Sequence, residues 1–71
     1  MDNRERMREL CAIAGSHEAA AKLIEEQTMR PCSKDAVKSW TCDPESSRAR
    51  TCQDWAILAL ETRLRLIRKI A

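Results

Sequence analysis

The sequence contains no Phe and no Tyr, a single Gly, two Pro and a single His, and it has no long apolar run. Each scarcity excludes something. With Phe and Tyr absent and β-branched residues few, there is little material for strands or hairpins, while Ala, Leu, Arg and Glu are abundant and favour helix. The expected class is all-α, a compact domain of four to five helices. No segment approaches the ~20 apolar residues of a spanning helix, so no membrane is expected among the partners. One histidine gives little for acid–base work: a nucleophile needs a base beside it and a group that orients the base. No enzyme is expected.

What is present is a high charge density of mixed sign: 34% charged residues that sum to only +2 over 71 residues. Such a chain makes one small domain, residues 1–71, with a core that is marginal for a lone copy. The opening MDNRERMREL is charged, which predicts no secretory signal, a reducing compartment and free thiols. The four cysteines, Cys11, Cys32, Cys42 and Cys52, are spaced by 21, 10 and 10 residues. Structural zinc sites place ligand pairs two to four residues apart, so no metal and no cofactor is expected. Cys42 and Cys52 bracket a loop and can approach each other under oxidising conditions. No small-molecule ligand is expected in so short a chain.

Punctuation along the chain predicts the helices. The first begins near Asn3 or Arg4, carries Met7, Leu10 and Ala14 on one stripe, and stops at Gly15. Ser16 is a good N-cap for a second helix over about 17–27, with Glu18 in its first turn and Ala20, Ala21 and Ile24 inward. Pro31 disfavours helix at Arg30. Ser33 then caps a third helix over about 34–41, with Val37 and Trp40 as inward anchors and Lys34, Asp35, Lys38, Ser39 and Thr41 outside. CDPESSRAR reads as a loop. The last helix is expected over about 52–70. Trp55, Leu58 and Ala59 form one stripe and Ile57, Leu60, Leu64 and Ile67 a second, extended by Leu66 and Ile70. That is more apolar surface than one internal face requires.

The segments SHEAAAKLI, SKDAVKSW and SSRARTCQDWAILALE, in that order, resemble the DNA-binding domains of phage repressor and Cro proteins, the class of many small phage-borne and anti-CRISPR-associated regulators. The resemblance covers residues 16–60. It implies a helix-turn-helix whose second helix enters the major groove. It puts His17 on a phosphate at the start of the supporting helix, Ala21 at the helix crossing, and Ile24, Val37 and Trp40 in the core. Trp55 is expected in the core as well.

Lys34, Asp35, Ala36, Lys38 and Ser39 are then expected at base edges. Lys donates to guanine, Asp accepts from cytosine N4, and an Ala methyl meets a thymine methyl. Ser16, Arg30, Thr41, Arg48 and Arg50 join His17 as contacts to the DNA backbone. One departure is large: eight residues, Glu25 to Cys32, separate Ile24 from Ser33. The second helix is therefore expected to run on by a turn and return through MRPC.

Charge is unevenly placed: residues 1–32 carry five basic against six acidic side chains, and 33–71 carry eight against five. The basic excess lies with the expected recognition helix and the tail, so DNA affinity should fall steeply with salt. The marginal core and the surplus stripe, with Leu64, Leu66, Ile67 and Ile70 as its interface, predict a homodimer. Two copies then read half-sites about 34 Å apart on a palindromic operator. The expected function is a Cro-like repressor acting by operator occupancy in the cytoplasm of a bacterial host cell. The rival expectation is a small helical phage adaptor or inhibitor that uses the C-terminal apolar stripe on a protein partner.

Overall fold

The computed structural model describes residues 2–71, which form four α-helices and, among those residues, no strand. Capping chemistry sets their limits. α1 (Asn3–Ala14) starts at Asp2, whose carboxylate accepts from Glu5 N at 2.8 Å, and ends at Gly15, whose φ of 114° few side chains tolerate. Nothing would crowd a Cβ there, so the dihedral alone requires glycine. α2 (His17–Thr28) starts at Ser16, whose Oγ accepts from Ala19 N at 3.0 Å. It runs on to Thr28 and closes through Met29 in the left-handed region, φ 58°.

α3 (Lys34–Thr41) starts at Ser33, whose Oγ accepts from Ala36 N at 3.2 Å. α4 is shorter than expected, Asp54–Leu66, and Gln53 gives its N-terminus no side-chain cap. Cys52 lies in the extended lead-in rather than in the helix, and its carbonyl accepts from Asn3 Nδ2 at 3.0 Å. At the other end Arg68, φ 60°, turns the chain out of the helix, and Lys69 N donates to Leu64 O at 2.8 Å. The left-handed residue caps the last carbonyls and ends α4 before residues 67–70.

The core gathers Met7, Leu10 and Cys11 from α1, Ala20, Ala21 and Ile24 from α2, Val37 and Trp40 from α3, and Ala56, Ile57, Ala59, Leu60 and Leu64 from α4. α2 packs on each of the other three helices, and its alanines present a smooth face that lets them come close. α1 also packs on α3 and α4. α3 and α4 do not run against each other; they meet through Trp40 and Trp55, edge to face with centroids 5.8 Å apart.

Three expectations about α4 are corrected. Leu64 is fully buried and belongs to the core, not to a dimer interface, and Ile70 is half-buried against that core. Trp55 is 48% exposed rather than internal. α4 is apolar around most of its circumference, so its pattern alone does not say which side faces inward. Packing on α1 and α2 selects Ala56, Ile57, Leu60 and Leu64, and leaves Trp55, Leu58, Leu66 and Ile67 outside.

Candidate nucleic-acid interface

α3 is held from below by Val37 and Trp40, and its outward side chains are Lys34, Asp35 and Lys38, all exposed. Ser39 and Thr41 are not available as expected. Ser39 is buried and its Oγ donates to Ala36 O at 2.6 Å. The Thr41 hydroxyl is buried, 3.1 Å from Val37 O and 3.2 Å from His17 Nε2. With the hydroxyl donating to Val37, His17 Nε2–H donates to the hydroxyl, which ties the start of α2 to the end of α3. Both corrections have one cause: Ser and Thr on a helix readily bond the carbonyl three or four residues back. Ala36 is half-buried, its methyl packed partly on the core.

The C-terminal carbonyls of a helix lack partners within it. For α3 they are supplied by two arginines of α1. Arg8 Nε donates to Thr41 O at 2.8 Å, and Arg4 Nη1 donates to Cys42 O at 2.6 Å. Cations there also complement the negative end of the helix dipole. Arg4 reaches further, Nη2 donating to Arg50 O at 3.1 Å, while Arg50 N donates to Ser39 O at 2.9 Å. Both ends of the 42–50 loop are thereby fastened. Inside it, Ser46 N bonds Asp43 O at 2.9 Å and Ala49 N bonds Ser46 O at 3.0 Å, two successive turns that carry Arg48 on the exposed side.

Lys38 is the ridge between two grooves. On one side lies a groove walled by Arg8, Gly15, Ser16, His17 and Thr41. The first backbone N–H groups of α2 have no partner within the helix and carry its positive dipole end to this groove, which suits an oxyanion. Ser16 serves there as the cap, its Oγ engaged with Ala19 N. On the other side, Asp35, Ser39, Ser46 and Arg48 wall the second groove. Lys38, His17, Ser16, Asp35 and Arg48 are thus gathered into one surface.

Three other expected contacts stand apart from it. Lys34 lies at the far end of α3, in a hollow shared with Glu18, Lys22 and Glu25. Arg30 lies in a hollow shared with Glu25 and Glu26. Arg50 acts through its backbone, described above, with its side chain exposed. The residues that sequence reasoning missed are Arg4 and Arg8. Their partners lie 33 to 46 positions away, and the only local signal is that neither side chain lies on the apolar stripe of α1.

All four cysteines are free. Burial pushes the Cys11 and Cys52 thiols up to about 11, and it raises Cys32 as well. Raised thiols are poor nucleophiles and poor metal ligands at neutral pH. Among the described residues no three His, Cys, Asp or Glu side chains come together as a metal-holding group. No helix among them is long and apolar enough to cross a membrane. Comparison with known protein families, with characterised proteins and with solved structures finds no match.

Proposed function

We propose that the protein binds double-stranded DNA through α3 and regulates transcription as a homodimer in the bacterial cytoplasm, repressing by occupying an operator. One observation carries the reading: the exposed side of α3 is polar, and the helix is fixed at both ends beside the N-terminus of α2. Ser33 caps its start, and Arg4 and Arg8 hold its end. A helix presented to a groove must not shift, because base-edge hydrogen bonds tolerate only a few tenths of an ångström.

In this reading Lys38 donates to guanine O6 and N7, and Asp35 accepts from cytosine N4. The first backbone N–H groups of α2, that of His17 among them, and Arg48 contact phosphates, which sets register without reading sequence. The phosphate contacts are few and the net charge is +2, so sequence preference rests on α3 and on two half-sites acting together.

The test is fluorescence anisotropy with the DNA flanking the gene of this protein, across a salt series. The expected result is a preference over scrambled DNA and a log–log salt slope of about −0.9 per phosphate contacted. Lys38→Ala should weaken the preferred site by about ten- to a hundredfold with the fold intact, and Lys34→Ala, apart from the gathered surface, should weaken it far less. Equal binding to scrambled DNA, or no binding at low salt, overturns the proposal. A second reading, an adaptor that binds another protein, is favoured by the exposed apolar side of α4; in that case both lysine variants keep full function.

A further inference from the structure

We propose that the outer face of α4 is self-complementary and takes a second copy of this chain antiparallel across a two-fold axis. Trp55 of one copy then lies against Leu66 of the other, and Asp54 faces Arg65. The regulator reading uses this dimer, but the dimer does not depend on DNA.

Trp55, Leu58, Thr62 and Leu66 fall within an arc of about 80° on a helix turning 100° per residue. Trp55 is 48%, Leu58 61% and Leu66 64% exposed. With ~150–250 Å² for an aromatic side chain and leucine at the low end of that, the three leave on the order of 300 Å² of apolar surface bare. That is the lower end of the range of functional patches, and the polar flanks must supply the rest of the ~800 Å² per partner of a standard interface.

The charges choose the occupant and its direction. Asp54 and Arg65 are eleven residues apart, three turns, and so lie on the same flank of the stripe. Two antiparallel helices related by a two-fold bring like flanks together, whereas parallel ones bring opposite flanks together. In the antiparallel register that sets Trp55 against Leu66, Asp54 of each copy meets Arg65 of the other. Both groups have atoms free for it. Asp54 accepts from Asn3 through Oδ1 at 2.7 Å, leaving Oδ2, and Arg65 donates to Ala71 O through Nε at 3.1 Å, leaving the Nη groups. Glu61 lies on the same flank near the axis, where it would face its own copy. It is neutralised by Arg6, with Nη2 to Oε2 at 2.7 Å, so no like-charge clash arises. The antiparallel helix dipoles add a further favourable contribution.

Sedimentation equilibrium of the full chain without DNA, from about 1 µM to 1 mM, tests it. The expected species is a dimer of the 8.1 kDa chain with micromolar affinity. Leu58→Glu, at an exposed position, should raise the dimer Kd at least a hundredfold with an unchanged helical spectrum. Asp54→Lys and Arg65→Asp should each weaken dimerisation about tenfold at low salt, and an equimolar mixture of the two should restore it as a heterodimer. A chain that stays monomeric at 1 mM, or a Leu58→Glu variant that dimerises like the parent, overturns the surface. Single reversals without effect overturn the antiparallel register. If dimerisation fails while specific DNA binding holds, only this inference falls; if the dimer holds and DNA binding fails, only the regulator reading falls.

Discussion

On the face around α3 the polar groups are fastened down: guanidinium groups sit on its last carbonyls, its hydroxyls bond their own helix, and a serine caps its start. Along the outer side of α4 the opposite holds, with three large apolar side chains exposed and no side-chain cap at the N-terminus. The two proposals put these surfaces to different uses. A face that must read a partner by hydrogen bonds has to be rigid before the partner arrives, because ordering it afterwards subtracts from affinity. A face that joins copies by apolar burial needs only shape and area, since the hydrophobic effect is non-directional.

The comparison breaks most visibly within α4 itself. Leu64→Ala removes a fully buried side chain and should cost about 2–5 kcal/mol, enough to unfold much of so small a domain. Leu66→Ala, two positions away at 64% exposure, should change monomer stability by no more than about 0.5 kcal/mol. Urea denaturation of both at low protein concentration checks the contrast, and equal effects would mean that α4 is rotated relative to the core.

Next in size is the contrast between α3 and the turn that precedes it. Lys38→Ala should lower affinity for the preferred DNA by about 1–3 kcal/mol, whereas Arg30→Ala, outside the gathered surface, should alter it far less. Arg8→Ala tests the fastening. Losing its bond to Thr41 O should cost about 1 kcal/mol of folding stability, and its effect on DNA affinity should exceed that, since α3 then shifts. Proportional losses of stability and affinity would show that Arg8 merely stabilises the fold.

The smallest effect concerns Cys11 and Cys52 in the core. Their thiols hold their protons more tightly in the folded chain, from 9.0 up to about 11. Their contribution is complete below pH 9 and declines as pH rises toward 11, because unfolding then releases protons. Denaturation midpoints at pH 8 and pH 10.5 should fall in that order, and the decline should shrink in a Cys11→Ala, Cys52→Ala double variant.

Much of the fold was legible because it rests on local chemistry. Gly15, Ser16 and Ser33 end or start helices through contacts spanning only three or four residues, and the spacing of Val37 and Trp40 names the inner side of α3. What was not legible depends on distant partners. Leu64 and Leu66 are chemically equivalent and two positions apart, and only α1 and α2 decide which is covered. Ser39 and Thr41 look outward by composition but bond their own helix. Arg4 and Arg8 look like surface charge until the end of α3 is brought to them. Of the expected contact set, the surface around Lys38 is gathered by the fold, whereas Arg30 sits among carboxylates.

The two hydrogen bonds of Arg4, to Cys42 O and Arg50 O, brace the loop at its base as a crossbeam braces an arch. At the crown of that loop Ser47 is exposed. Lengthening it near Ser47 lets residues be added for roughly 0.6 kcal/mol per doubling of loop length. The arch can thus be rebuilt at its crown, bringing new side chains beside Arg48, while its footings and the helix beneath stay where they are.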